Sequence, residues 1–304
     1  MKTAIHRLLI TTLCTIASTI AYLAQTNDSL QLKLKKIVEN KKALVCVSIM
    51  DENGETVASL NEDIRCTLHS VFKFHIALTM LSEIDKGHFS LNQLIEIKKS
   101  ELLPDLYSPL REEHPNGGVF PISTLMEYAV SLSDNVACDV LLRLLGGPRF
   151  VEKYIKKNGV KKISIRHNEE EINLNNALMY FNWTTAKAAN NTLIKFYKNK
   201  REILSQVSHS FIWTAMKKTE TGANRLKGQL PEGTVVAHKT GSSGTDDEGL
   251  TVATNDIGII FLPNGSFFYI TVFVTQSKES EEINERIIAD IARAAWDHFN
   301  TALR

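Results

Sequence analysis

Residues 70–84 read SVFKFHIALTMLSEI, a stretch too densely apolar for a helix at the protein surface. A helix that is apolar on all sides is normally buried. We therefore predict a buried helix that ends at Gly87, because glycine readily adopts the left-handed conformation that closes a helix. Two polar residues, Ser70 and Lys73, stand at the start of this helix. The rest of the fold is expected to surround it.

Strand-like segments lie at both ends of the chain and helical segments lie between them. Alternating or β-branched patterns bounded by turns predict strands over 43–50, 55–60, 234–239, 257–262 and 267–275. Apolar residues at helical spacing predict helices over 122–132, 137–145 and 283–299, and the region between about 68 and 218 is mostly helical in pattern.

This order predicts an α+β fold. The simplest assembly is one antiparallel sheet built from both chain ends with flanking helices, into which an all-helical domain is inserted. We assign the α/β part to about 25–66 and 219–304, and the helical part to about 67–218. Catalytic clefts often form where two such parts meet, so we expect the active site at the seam.

The overall charge is balanced, with 35 basic and 34 acidic residues and a net charge of +1. No broad electrostatic field therefore favours nucleic acid or an anionic membrane surface. We expect a small-molecule partner, no nucleic acid and a monomeric protein.

The first 24 residues differ from the rest. A short basic start is followed by an apolar stretch over 8–23 and a polar exit at 25–28. This pattern predicts a secretory signal, so we expect an exported, periplasmic protein with a catalytic domain over 25–304 and no membrane attachment. The cleavage site, after Ala21 or Ala24, stays open, and an uncleaved N-terminal anchor helix is the alternative.

Four cysteines are present, and Cys14 lies within the predicted signal. The remaining three are Cys46, Cys66 and Cys138, and an odd number leaves at least one thiol unpaired. Their disulfide state stays open, and small buried hydrophobic residues are the alternative role. No C-x-x-C spacing occurs, so we expect no metal site.

The spacing of Ser70 and Lys73 places a hydroxyl and an amine on one helix face. A neutral lysine can remove the proton of a serine, and burial lowers a lysine pKa toward that state. Free N–H groups at the helix start can hold an oxyanion. This S-x-x-K pair predicts a nucleophile at Ser70, although the spacing is also common by chance.

Two further motifs follow. Ser133-Asp134-Asn135 lies in a loop between two helices, where the Ser133 hydroxyl can relay a proton near Lys73 and the Asn135 amide can orient a substrate amide; a helix N-cap is the alternative. Lys239, Thr240 and Gly241 end the strand that starts at Thr234. Lys239 would place a cation against the site, and Gly241 would let substrate approach the backbone; a plain turn is the alternative.

All three motifs occur once, in the order helix, loop and strand. The combination resembles the penicillin-interacting serine enzymes, which include class A β-lactamases and penicillin-binding proteins. Residues 169–173, EEEIN, resemble the E-x-E-L-N segment of the Ω loop of class A β-lactamases. That resemblance implies that Glu169 activates the deacylating water and that Asn173 helps to hold it. Without this resemblance, the acidic residues 169–171 are interpreted as a solvent-exposed loop.

The same resemblance implies further roles. Arg225, Thr240 and Ser242 would bind the substrate carboxylate together with Lys239. The backbone N–H groups of Ser70 and Ser242 would form the oxyanion hole, and Tyr107 would form a wall of the cleft. The alternative interpretations are that Arg225 is an ordinary surface residue and that Tyr107 is a core residue. Segments 107–111 and 182–184 resemble the branch that includes extended-spectrum cephalosporinases.

The chain also departs from the commoner class A pattern. Glu170 replaces the proline that usually follows the catalytic glutamate. His167 replaces an arginine two residues before that glutamate, and Arg166 stands one place earlier. Asn182 stands where the loop's acidic partner is usual, and Ala77 replaces one cysteine of a common pair. We expect the loop to be held in another way.

The sequence thus predicts an enzyme that hydrolyses penicillins and cephalosporins through an acyl-serine, without a cofactor. Two rivals remain: a cell-wall DD-peptidase, which shares three motifs but not the Glu169 loop, and a β-lactam sensor domain that acylates without turnover.

Overall fold

A computed structural model describes residues 28–301, so the predicted signal over 1–24 lies outside the described residues. The centre of the protein is a five-stranded sheet in the order β2-β1-β10-β9-β8, with every neighbouring pair antiparallel. Its strands come from the two ends of the chain, as predicted: β1 Leu44–Met50, β2 Thr56–Leu60, β8 Val236–Ser242, β9 Thr251–Phe261 and β10 Phe267–Ser277.

One face of the sheet is covered by the first and last described helices. These are α1 over 28–38 and α10, Glu281–Thr301. Leu30 and Leu34 of α1 and Ile287 of α10 are buried in one cluster with sheet residues such as Val272. This burial of apolar area joins both chain ends into one layer.

The other helices lie between β2 and β8 in the chain. Their bounds are α2 Phe72–Asp85, α3 Pro109–Glu113, α4 Ile122–Ser131, α5 Asn135–Leu145, α6 Pro148–Lys157, α7 Glu169–Leu174, α8 Ala186–Lys198 and α9 Gln206–Lys217. Helix α8 packs on β1 and β10, so it covers the second face of the sheet.

Helix α2 is the buried helix that the sequence predicts. Its residues from Phe72 to Glu83 are all buried, and a 3₁₀ turn over His69–Val71 leads into it. It ends where expected, because Gly87 has φ +79° and its N–H donates to Ile84 O at 2.9 Å. A central helix of this kind can hold Ser70 and Lys73 rigidly.

Short strands in the middle of the chain were not predicted. They are β3 Cys66–Thr67, β4 Leu94–Lys98, β5 Gly117–Pro121, β6 Ile163–Ser164 and β7 Trp183–Thr184. Three of them have only two residues, too few for an alternating pattern to be seen in the sequence. Strands β3, β7 and β6 form a small sheet beside the 3₁₀ turn.

Two strand boundaries differ from the prediction. Strand β8 continues through the K-T-G motif to Ser242 instead of ending there, and β9 starts at Thr251 instead of residue 257. Polar Asn255 and Asp256 interrupt the apolar pattern of β9, yet both are fully buried. Their side chains are paired: Asp256 lies 3.0 Å from His238 Nδ1, and Asn255 Nδ2 donates to the Thr67 carbonyl at 2.8 Å.

The α+β class is therefore confirmed, while the exact domain boundaries remain a prediction. Within residues 28–301, no helix has the length and apolarity that a membrane crossing requires.

Candidate active site

The Ser70 hydroxyl and the Lys73 amine meet at the start of α2. Lys73 Nζ lies 2.8 Å from Ser70 Oγ, and the lysine side chain is fully buried. The spacing of three residues thus places both groups on one helix face, as predicted.

Four oxygen atoms surround the Lys73 amine. Besides Ser70 Oγ, it contacts the Ser133 carbonyl at 2.8 Å, Asn135 Oδ1, and Glu169 Oε1 at 2.9 Å. An ammonium group has only three protons to donate, so one oxygen always lacks a full hydrogen bond. When that oxygen is Ser70 Oγ, the Ser70 hydroxyl is free to donate its own proton.

The pKa of Lys73 differs from the sequence expectation. Burial alone would lower this pKa, but the nearby Glu169 carboxylate raises it above the ordinary lysine value. The prediction of a lowered Lys73 pKa took account of burial but not of the Glu169 carboxylate. The ion pair with Glu169 thus favours the charged form of Lys73, which makes this lysine a weaker base than the sequence predicts.

Helix α7 carries Glu169 at its first position, and the side chain is only 13% exposed. The Asn168 side chain caps this helix by accepting from the Glu171 N–H at 2.9 Å. Asn173 lies one turn further on α7, and both residues line the same cavity. The structure thus brings the predicted base and its predicted helper to the side of the cluster that faces the cavity.

Asp139 fixes the start of α7 from the neighbouring helix α5. Its carboxylate accepts from the Glu169 N–H at 2.9 Å and from the Glu170 N–H at 2.8 Å. Burial, reinforced by the charge of Glu169, raises the pKa of Asp139 to about 7. This residue was not predicted, although it lies four residues after Asn135 and so on the same helix face.

Asn182 holds the other side of the Glu169 loop. Its Oδ1 accepts from the N–H groups of Arg166 at 2.7 Å and His167 at 3.1 Å, and its Nδ2 donates to the His167 carbonyl at 2.8 Å. These bonds need an amide, which both donates and accepts, and not an acid. Asn182 thus holds the loop from the position where an acid is usual, and Arg166 pairs instead with Glu152 of α6 at 3.1 Å.

The second amine, Lys239, contacts the Ser133 hydroxyl directly. Lys239 Nζ lies 2.9 Å from Ser133 Oγ and is fully buried. Burial, together with the charge of Lys73, lowers the pKa of Lys239 well below its ordinary value. The sequence predicts that the Ser133 hydroxyl relays a proton near Lys73. In the structure, Lys73 contacts the carbonyl of Ser133, and Lys239 contacts its hydroxyl.

Gly241 allows strand β8 to lie against the 3₁₀ turn. A Cβ atom at this position would lie 2.7 Å from the Leu68 carbonyl oxygen and 3.3 Å from the Ser70 nitrogen. Any side chain would therefore push β8 away from the nucleophile. The glycine is required by this backbone contact, in addition to the substrate access expected from the sequence.

Arg225 lies behind β8 and is 5% exposed. Its Nη2 donates to Ser242 Oγ at 2.7 Å, its Nη1 to the Gly241 carbonyl at 3.2 Å, and its Nε pairs with Glu285 at 3.0 Å. All three guanidinium nitrogens of Arg225 thus donate hydrogen bonds to other groups of the protein. Arg225 acts on the cavity through the Ser242 hydroxyl and its positive field.

These side chains surround a cavity of about 300 Å³. It is lined by the predicted residues Ser70, Tyr107, Ser133, Asn135, Glu169, Arg225, Thr240, Gly241 and Ser242. Tyr107 is 55% exposed at its edge. A second cavity of about 340 Å³ shares Glu169 and Asn135 and extends beneath α7 toward residues 243–252. A larger cavity of about 590 Å³, lined by lysines, touches none of the predicted site residues.

Two residues beside the nucleophile have strained backbones. His69 has φ +43° and Ser133 has φ +62°, in a region that residues other than glycine rarely adopt. His69 is half-buried, and desolvation of its imidazole lowers its pKa to about 4. His69 was not predicted from the sequence, because such backbone strain is set by packing with distant elements. Among the described residues, no cluster of side chains is placed to hold a metal ion.

We expect Asp139→Asn to lower the rate of acyl-enzyme hydrolysis about 100-fold, because a misplaced catalytic group loses about that factor. An amide offers one acceptor oxygen where the carboxylate offers two, so one N–H of Glu169 or Glu170 loses its partner. Pre-steady-state kinetics should show the loss. Asp297→Asn on α10 is the control, and equal rates for wild type and Asp139→Asn would contradict the role.

The pH dependence of stability tests the same carboxyl group. The folded pKa of Asp139, about 7, lies above its ordinary value of 3.8. Protonation therefore favours the folded state, so this contribution is complete below about pH 4 and is lost as the pH rises through 7. We expect the wild-type Tm to fall relative to that of Asp139→Asn between pH 5 and pH 8.

A serine hydroxyl in contact with a buried lysine that also pairs with a carboxylate is the arrangement expected of a serine enzyme that works through a covalent acyl intermediate. The sequence model of the "Beta-lactamase enzyme family" matches residues 29–299. The chain belongs to this family, and to its class A branch.

Similar proteins agree with this assignment. "Beta-lactamase VEB-1" of Pseudomonas aeruginosa is 47% identical over 281 residues, 92% of this chain and 94% of the relative. The crystal structure of "TLA-1 extended spectrum Beta-lactamase" has a TM-score of 0.86 and 46% identity, covering 90% of this chain and 99% of the other. A class A β-lactamase from Bacteroides cellulosilyticus has a TM-score of 0.87 and 37% identity, covering 91% and 99%.

Proposed function

We propose that this protein hydrolyses β-lactam antibiotics, penicillins and cephalosporins among them, through an acyl-serine on Ser70, and so confers resistance. The observation that carries the proposal is the placement of Glu169 within 2.9 Å of Lys73, which itself contacts Ser70. A carboxylate in that position can activate a water molecule to attack the acyl-serine ester. Without such a base, the acyl-enzyme is not hydrolysed and stays trapped.

In the first step, Ser70 Oγ attacks the carbonyl carbon of the β-lactam. The proton of Ser70 passes to Glu169, either through a water molecule or through Lys73 after Lys73 has given its own proton to Glu169. The raised pKa of Lys73 favours Glu169 as the base that finally holds the proton. The backbone N–H groups of Ser70 and Ser242 stabilise the oxyanion.

The ring opens when the bond between the carbonyl carbon and the ring nitrogen breaks. Ser133 gives its hydroxyl proton to that nitrogen and is reprotonated by Lys239, which contacts it at 2.9 Å. The lowered pKa of Lys239 makes this ammonium a better proton donor than an ordinary lysine. Thr240 and Ser242 bind the substrate carboxylate, and Arg225 acts on it through the Ser242 hydroxyl and its positive charge.

Before the last step, the proton held by Glu169 returns through solvent to Lys239, so that Glu169 is again a carboxylate and Lys239 is again an ammonium. Glu169 then takes a proton from a water molecule held with the help of Asn173. The hydroxide attacks the ester, and the proton returns to Ser70 as the product leaves. The adjoining cavity of about 340 Å³ beside Glu169 gives room for a bulky acyl side chain. This space, and relatives named for an extended spectrum, support cephalosporins as substrates. We place the activity in the periplasm, in a monomer exported by the signal over 1–24.

The test is to count turnovers of a chromogenic cephalosporin by the purified protein. We expect many product molecules per enzyme. A single equivalent of bound drug without further product would support a sensor domain or a penicillin-binding protein and overturn the proposal. Release of the terminal residue from a D-alanyl-D-alanine peptide, without cephalosporin turnover, would support a DD-peptidase.

A further inference from the structure

Two of the three described cysteines lie side by side in the interior. The sulfur atoms of Cys46 and Cys66 are 3.1 Å apart, and the two residues are 0% and 2% exposed. Cys138 is also buried but lies on α5, away from this pair. The structure therefore distinguishes one candidate pair among three thiols that the sequence left equivalent.

Both cysteines are fixed by backbone pairing. Cys46 is in β1, where it pairs with Phe273 of β10, and Cys66 is in β3, where it pairs with Thr184 of β7. Strands β1 and β3 belong to different sheets. A bond between the two sulfur atoms would therefore join the main sheet to the segment that leads, four residues later, into Ser70.

We infer that Cys46 and Cys66 form a structural disulfide in the exported protein, and that Cys138 is the unpaired thiol. This inference rests on the proposed export, because disulfides persist in oxidising compartments. A disulfide has an S–S length of about 2.05 Å, so the sulfur atoms need to approach by only about 1 Å. The bond closes a loop between positions 20 residues apart in the chain.

The bond forms by thiol–disulfide exchange with a protein or small-molecule disulfide. One cysteine thiolate attacks a sulfur of that oxidant and releases one thiol. The second cysteine thiolate then attacks the mixed disulfide, which forms the Cys46–Cys66 bond and releases the other thiol. The cysteines lose two protons and two electrons, and the oxidant becomes two thiols. Because both side chains are buried, the exchange takes place before folding is complete.

The first test maps the cysteines after the full chain has been refolded with oxidised and reduced glutathione. Free thiols are alkylated in denaturant, and the digested protein is analysed by mass spectrometry. We expect a peptide pair linked through Cys46 and Cys66, with Cys138 alkylated. Alkylation of both Cys46 and Cys66, or a link from either one to another cysteine, would overturn the inference.

The second test measures the thermal stability of the refolded protein with and without dithiothreitol. A disulfide closing a loop of this length should raise Tm by about 5 to 10 °C. Cys66→Ala is the matched control, and its Tm should be the same in both buffers. Equal Tm values for oxidised and reduced wild type would overturn the inference. A linked peptide in a protein that turns over no cephalosporin would instead contradict only the proposed function.

Discussion

Glu169→Ala should lower steady-state turnover of a cephalosporin about 1000-fold, the scale of a lost general base, and leave acylation much less affected. Deacylation loses the group that activates water. Acylation survives because the variant also lacks the charge that raises the pKa of Lys73. Burial then lowers that pKa, and a neutral Lys73 can take the proton of Ser70.

Stopped-flow measurement of product absorbance separates these two steps. We expect a burst of one equivalent per enzyme followed by a slow steady rate. Glu170→Ala is the control, because Glu170 is exposed and its backbone bond to Asp139 is retained. A variant Glu169→Ala that shows no burst, with both steps lost together, would mean that Glu169 is the only base for acylation.

Lys73→Ala is expected to slow acylation about 1000-fold. The change removes the partner of the Ser70 hydroxyl and leaves Glu169 without its cation in a poorly solvated site. The second-order rate constant for acylation measures the loss. Lys86→Ala is the control, since Lys86 lies just past the far end of α2 and is half exposed.

The double variant Lys73→Ala/Glu169→Gln separates catalysis from folding. Replacing the isolated carboxylate by a neutral amide should recover the Tm lost in Lys73→Ala, because no unpaired charge remains buried. Acylation should stay slow. If acylation recovered together with Tm, the defect of Lys73→Ala would be structural, and Lys73 would have no role in proton transfer.

Much of the site was predictable because its chemistry is local in sequence. The three-residue spacing in α2 placed Ser70 beside Lys73, and the apolar surroundings of that helix predicted its burial. The K-T-G strand and the Glu169 loop could be assigned to the site only from the order of all the motifs together, because each of these short motifs is common by chance.

The parts that were missed depend on contacts between distant segments. The pKa direction of Lys73 is set by Glu169, which lies 96 positions further along the chain. The early start of β9 depends on buried pairing of Asn255 with the backbone before α2. Asp139 looks like an ordinary helix residue until α7 is docked on it. Local patterns carry no information on such pairings.

Rapid-quench mass spectrometry with peptide mapping follows the formation and hydrolysis of the acyl-enzyme on Ser70. Wild type and Glu169→Ala are mixed with a cephalosporin and quenched at intervals from milliseconds to minutes. We expect the drug on the peptide containing Ser70 in both proteins, with an adduct that disappears quickly in wild type but persists in Glu169→Ala. An adduct on another residue, or equal rates of disappearance in the two proteins, would contradict the proposed mechanism.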